Sequence, residues 1–304
     1  MVTLKEIVSK LDAEFDIKTF GKDASFSRFI PGVYDPLNFN WKEMFEKDFA
    51  ELFNGLMIKG DKKVEKIFLA VFPTDQVLEH FIEESTSGDL LFMHHPLLME
   101  CGDPRGAWGQ GFVPIKENYI KLMREKKLSV YTCHIPLDCH KQLGTSVAIA
   151  KVLNAEICIS DSKHSKNEYV LYATIENTTT DKLITDLKEL FEIPYVDFEG
   201  RKKESIQKIA IVAGCGDKVD WMQEAENNGS QAYITGEIHC HINNDYGKQK
   251  YSKIIDYANQ TSMSLIGISH SASEYLVHKT LLKDWFEKNF AIKTHLIPQE
   301  KWWL

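Results

Sequence analysis

The sequence predicts an α/β protein made of two similar lobes, with layered sheets flanked by helices. Two observations carry that prediction. From Lys66 onward, apolar runs of strand length alternate with amphipathic stretches of helical period, the pattern of a sheet whose strands are joined by helical crossovers. Second, the segment 66–95, KIFLAVFPTDQVLEHFIEESTSGDLLFMHH, aligns without a gap with the segment 208–237, KIAIVAGCGDKVDWMQEAENNGSQAYITGE. Lys66-Ile67 falls on Lys208-Ile209, Asp75 on Asp217 and Val77 on Val219. Generic α/β periodicity explains part of the match, but a turn Asp held in register points to internal duplication. The expected lobes are residues 1–139 and 140–304, with the C-terminal helix and tail free to pack back on the first.

In chain order, Leu4, Ile7, Val8 and Leu11 recur at helical spacing and predict an opening amphipathic helix. That start lacks the basic region and long apolar core of a signal peptide. No run reaches the roughly 18 apolar residues of a membrane span, so a cytoplasmic protein is expected. Residues 20–45 are rich in aromatics, Gly and Pro without a period and read as an irregular packed segment. Residues 42–53 read as a helix and 54–66 as turns. Strands are then expected at 66–73, 89–96, 128–136 and 168–176, and helices at 74–86 (with Thr74 as cap), 115–127, 146–154 and 180–190.

The chain of 304 residues is 43% apolar and 26% charged, enough to bury a sizeable core. A net charge of −8 argues against nucleic acid as the main partner, because it offers no basic field for phosphates. The six cysteines form no C-x-x-C pair, so reduced, structural thiols are expected. Cys133 and Cys139 remain a minor alternative as metal ligands.

The chemistry is concentrated at the ends of the expected strands. The strand LLFM runs into His94, His95 and Pro96. A His pair in that place is either two polar loop residues or a metal site. The in-register counterpart of the pair is Gly236-Glu237. Each half then closes with a strand and an H-x-x-x-acid motif: His134 with Asp138, and His270 with Glu274. Strand-end loops gather functional groups in α/β sheets. If the halves pack face to face, His94, His95, His134, Asp138, Glu237, His270 and Glu274 converge. Imidazole and carboxylate donors suit Zn, Fe, Mn, Co or Ni better than Ca or Mg. Seven of the eleven histidines lie in these segments; the other three there are His140, read as surface, and His239 and His241, open between supporting and surface roles. The run CGDPRGAWGQG after the pair reads as a flexible connection, with a lid or an anion contact through Arg105 as the alternative. Trp302 and Trp303 in the tail are candidates for packing or for a subunit interface.

Five motifs in order, NGLMIKG, MHHPLLM, HIPLDCHKQLGTS, YITGEIH and GISHSASE, resemble the GTP cyclohydrolase I type 2 homologue family, also called Nif-three-like, from about residue 50 to the C-terminus. The resemblance implies two similar α/β lobes with a dinuclear metal site in the cleft between them, and a ring-shaped homohexamer, a trimer of dimers. By motif it places metal ligands at His94, His95, Asp138, His270 and Glu274, the last bridging, and lines the site with His134 and Glu237. The chain departs from the common pattern in its longer, aromatic N-terminal segment and in the GTS turn after Leu143.

The expected function is metal-dependent hydrolysis of a C–N or amide-like bond, with a nucleotide such as GTP the substrate that the resemblance implies. Two divalent transition-metal ions would activate a bridging water, and His134 or Glu237 would shuttle protons. The alternative is a ring-forming protein that stores or delivers metal, or has a regulatory role, without turnover.

Overall fold

The computed structural model describes residues 2–37, 40–158, 168–299 and 303. The chain divides into two compact units: Met1–Met99 with Phe112–His140 and His278–Glu300, and Glu100–Gly111 with Lys141–Val277 and Lys301–Leu304. Both are mixed α/β.

The first unit is built on a five-stranded sheet in the order Lys293–Leu296, Lys66–Ala70, Leu90–Met93, Ser129–Thr132, Gly55–Ile58. The first four run parallel and Gly55–Ile58 closes the edge antiparallel. Leu90–Met93 is buried on both faces, as expected of a central parallel strand covered by helices. Helix Asp75–Glu84 carries the chain from Lys66–Ala70 to Leu90–Met93, and Glu117–Glu125 leads on to Ser129–Thr132. Thr74 caps the first of these by accepting the Val77 N–H, as its position predicts.

The N-terminal segment is more regular than its composition predicts. Phe26–Tyr34 is a helix despite Pro31. Phe26, Ile30 and Tyr34 recur every four residues and face the core. At its entrance Asp23 accepts the backbone N–H groups of Ser25 and Phe26, satisfying donors that a helix start leaves open. The helix expected over 42–53 instead splits into Trp41–Met44 and Lys47–Leu52, with Phe45 extended between them. Phe45 leaves the helix to pack against Tyr34, Trp41 and Phe49. The turn-rich stretch after it supplies the edge strand Gly55–Ile58.

The second unit holds a six-stranded sheet ordered Asp197–Gly200, Ser264–Gly267, Ala232–Thr235, Ile206–Val212, Leu171–Thr178, Glu156–Ile157. The three strands Ile206–Val212, Ala232–Thr235 and Ser264–Gly267 are mutually parallel, and the others are antiparallel to their neighbours. Helices Val219–Asn227 and Asp245–Ala258 connect the parallel three. Met222, Ala225, Ile254 and Tyr257 from those helices pack with Ala210, Tyr233 and Leu265 of the sheet.

Residues 100–111 are not a loose connection. Gly109 donates to the His241 carbonyl at 2.8 Å and accepts from Asn243 at 2.9 Å. A side chain at Gly109 would meet the Glu100 carbonyl at 1.9 Å, so only Gly permits this close pairing. Arg105 is committed to Asp103 at 2.9 Å and lies over the Tyr195 ring.

Candidate metal centre

In the first unit the donors sit at the carboxyl ends of two adjacent parallel strands, the place where open α/β sheets gather ligands. His94 and His95 follow Leu90–Met93, and His134 follows Ser129–Thr132. The ladder continues past the strands: His94 donates its N–H to Ala70, His95 to Val71 and Cys133 to Met93. Backbone hydrogen bonds therefore fix the Cα positions of the His pair before any side chain is considered.

Each ring in this unit has its own support. His94 Nδ1 lies 2.7 Å from the Cys133 carbonyl, and since a carbonyl only accepts, Nδ1 carries the proton. His94 Nε2 is then a lone-pair donor, 3.4 Å from Asp138 Oδ1. His95 stacks on Phe72, with ring centroids 4.4 Å apart, and meets the edge of Phe26. His134 Nδ1 is 2.8 Å from Asp23 Oδ2, and its Nε2 is 3.9 Å from Asp138 Oδ2. One ring nitrogen from each of His94, His95 and His134 lies within 4.8 Å of the other two. Burial pushes the Asp23 carboxyl up, but the His134 charge, its hydrogen bond and two backbone N–H groups outweigh this and bring it down to about 2.

In the second unit Glu237 follows Ala232–Thr235 and His270 follows Ser264–Gly267, again adjacent parallel strands. His270 Nδ1 is 2.7 Å from Glu237 Oε1 and its Nε2 is 3.0 Å from Glu274 Oε1. His270 and Glu274 share one face of the helix His270–Val277, as an i, i+4 pair must. Burial would lower the His270 imidazole, but Glu274 and Glu237 outweigh it and hold the ring well above the usual value. Gly214, at φ +66°, makes the space: a Cβ there would lie 2.1 Å from Glu274 Oε1 and 3.0 Å from His270 Nε2. Cys101 Sγ lies 3.8 Å from His270 Nδ1, and Cys101, Glu237 and His270 form a second group of close donors. Burial first, then the Glu237 charge, keeps that thiol well above its usual range.

These nitrogen, carboxylate and thiol donors suit a borderline transition-metal ion. The second nitrogen of His94, His134 and His270 is engaged by a carbonyl or a carboxylate, the arrangement that fixes tautomer and ring orientation in metal sites.

Within its own unit, each expected site residue is in a donor group: His94, His95, His134 and Asp138 in the first, Glu237, His270 and Glu274 in the second. Asp23, Cys101 and Gly214 were not anticipated. Asp23 had a local signal as a turn residue two positions before Ser25, but nothing in the sequence tied it to a histidine 111 positions away. Cys133 contributes a carbonyl rather than a thiol, and Cys139 belongs to neither donor group. No disulfide joins the six cysteines. His140, read as a surface residue, is half-buried, edge-on to Phe15 and 3.6 Å from Glu14. His239 is buried and bound to Asp197 at 2.7 Å; His241 is buried near Trp108 and Tyr251. Trp303 is buried near Tyr195, and Trp302 lies outside the described residues.

An α/β fold with imidazole and carboxylate groups at its strand ends defines a protein equipped to bind metal. A sequence model of one family, Duf34/NIF3 (NGG1p interacting factor 3), matches residues 42–301, and the chain belongs to that family. It is similar to proteins called "GTP cyclohydrolase 1 type 2 homolog". That of Pyrococcus abyssi is 28% identical over 249 residues, 80% of this chain and 88% of that protein. That of Haemophilus influenzae is 25% identical over 242 residues, 78% and 86% of the two chains. Among solved structures, TTHA1606 of Thermus thermophilus superposes with a TM-score of 0.65 at 17% identity over 99% of both chains. Reduced HcgD of Methanocaldococcus jannaschii gives 0.59 at 18% identity, covering 84% of this chain and 93% of that one. At such identities these structures speak for the fold alone. No helix among the described residues is long and apolar enough to cross a membrane.

Proposed function

We propose that His94, His95, Asp138, His270 and Glu274 are the residues that would hold two divalent transition-metal ions, and that the protein is a metal-dependent hydrolase of a nucleotide-like substrate. The observation that carries the reading is the far-side anchoring of the ligand imidazoles: His94 by the Cys133 carbonyl and His270 by Glu237. Such partners serve to hold a ring in one tautomer with a lone pair turned outward. When bound, the ions supply Lewis acidity and a water that is nucleophilic at neutral pH. His134 and Glu237 stand beside the ligands and would take up and return protons.

GTP is the first substrate to try, because the relatives carry the name of a GTP cyclohydrolase homologue. Ring opening of such a base is hydrolysis of a C–N bond. A homohexameric ring and a cytoplasmic setting belong to the same proposal; the ring rests on the family resemblance alone and is tested by light scattering. A second reading, metal storage or delivery without turnover, is favoured by one observation: Cys101 puts a soft donor beside His270.

The deciding experiment is elemental analysis of untagged protein beside Glu274→Ala, followed by a GTP turnover assay. The hydrolase reading expects near two metal equivalents per chain, loss of metal in the variant, and turnover in the parent only. Metal without turnover of GTP or related nucleotides selects the storage reading. A parent that takes up no Zn, Fe or Mn overturns both.

A further inference from the structure

The residues before the family match begins at 42 build part of this site. We infer that Asp23 is a positioning residue of the metal centre, holding His134 so that its Nε2 serves as a third imidazole ligand beside His94 and His95. The inference rests on the proposed metal centre and adds His134 to its ligands, in place of the proton-carrying role given to that ring above, which then falls to Glu237 alone.

Asp23 is buried at 3% exposure, and each of its carboxylate oxygens is used. Oδ1 accepts the N–H groups of Ser25 and Phe26, which locks the carboxylate to the helix Phe26–Tyr34. Oδ2 faces His134 Nδ1 at 2.8 Å and takes a longer contact from the Asn54 amide at 3.4 Å. Asn54 Oδ1 in turn accepts the backbone N–H of His134 at 2.7 Å. His134 is thus held at its main chain by Asn54 and at its ring by Asp23. The Phe26 ring, 4.4 Å from the imidazole, limits its tilt. A carboxylate on Nδ1 places the proton there and leaves the Nε2 lone pair toward Asp138. A lone pair in that place serves a proton acceptor or a metal ligand equally. The close approach of the His94, His95 and His134 nitrogens, within 4.8 Å, is what favours the ligand.

Asp23→Asn separates this role from a structural one. Asn caps helices as well as Asp does and keeps the size of the side chain. With its oxygen on the Ser25 and Phe26 N–H groups it turns an amide N–H toward His134 Nδ1, so what it removes is the charge and the acceptor that hold the proton on that nitrogen. Zn(II) affinity would be measured by competition with a chromophoric chelator for the full-length parent, Asp23→Asn, His134→Ala and the double variant, each checked for native circular dichroism. If His134→Ala does not fold, His134→Asn takes its place. The expected result is roughly a 10–100-fold loss of Zn(II) affinity in Asp23→Asn, the range for partners of metal-bound histidines. The double variant should then be no weaker than His134→Ala alone, because Asp23 acts through that ring. An Asp23→Asn variant that binds Zn(II) like the parent overturns the inference and leaves the metal centre standing. So does an Asp23→Asn loss that persists undiminished without His134. A parent that binds no Zn(II) fails the proposed function itself, and the inference with it.

Discussion

His94 donates its Nδ1 proton to the carbonyl of Cys133 across 2.7 Å, so the strand next door decides which nitrogen His94 offers. Cys133 continues the ladder from Ser129–Thr132, and its N–H is bound to Met93 at 3.0 Å. The acceptor is backbone, so no side-chain change at position 133 removes it. Substituting His94 therefore removes the donor while leaving its support in place. His94→Ala is expected to lose metal uptake measured by elemental analysis, while retaining the circular dichroism of the parent. Stability should fall by about 1–3 kcal/mol, the cost of leaving a buried carbonyl unpaired.

Gly214 gives a steric test of the second donor set. An Ala Cβ would press on Glu274 Oε1 at 2.1 Å and would adopt φ +66°, where an L side chain costs roughly 1–2 kcal/mol. Gly229 has φ +82° with nothing within 4 Å of a Cβ. Both Gly→Ala variants should lower the urea midpoint, Gly214→Ala the further of the two because it adds a clash to the strained φ. Only Gly214→Ala should also lower Zn(II) affinity, because only there does the methyl displace the Glu274 carboxylate. Equal affinities in the two variants would show that Glu274 yields at no cost.

Much of this arrangement was legible beforehand, for identifiable reasons. The strands at Lys66–Ala70 and Leu90–Met93 and the helix Asp75–Glu84 are marked by local apolar period and by Thr74. The donors follow strand ends that the same pattern locates. What stayed hidden depends on partners far away in the chain. Phe45 breaks a helix that residues 42–53 would form by themselves, because Tyr34, Trp41 and Phe49 offer it a better-packed place. The glycines after His95 read as slack, yet Gly109 is there for its pairing with His241 and Asn243. Asp23 reads as a turn residue and is one; its second oxygen, on His134, is set by tertiary structure.

The Asp217 carboxylate, in register with Asp75, has a different fate. It is buried at 2% exposure and paired with Lys250 Nζ at 2.5 Å. Cys215 Sγ also donates to it at 2.9 Å. Removing the cation leaves an uncompensated charge in the core of the second unit, a change that typically costs about 3–5 kcal/mol. Lys250→Met should show that loss in urea unfolding. Adding Asp217→Leu should restore most of it, since replacing both charges with apolar groups is often close to neutral. A double variant no more stable than Lys250→Met would mean that the pair contributes packing rather than charge compensation.

Asp23 also predicts how metal-free protein responds to acid. Its carboxyl falls from the ordinary 3.8 to about 2 in the folded chain. A depressed carboxyl binds fewer protons folded than unfolded, so its contribution to stability is complete above the ordinary value. It fades as pH falls from there through the folded value. At about 1.4 kcal/mol per unit, the contribution is on the order of 2 kcal/mol. Urea unfolding of metal-free protein should therefore lose stability with a steeper slope between pH 3.8 and about 2 than Asp23→Asn does. At the acid end of that window the two stabilities should converge. His134→Ala should flatten the same stretch of the curve, because the His134 charge is the largest influence holding the carboxyl down. Parallel slopes for the parent and Asp23→Asn would mean that the carboxylate gains nothing from His134 in the folded chain.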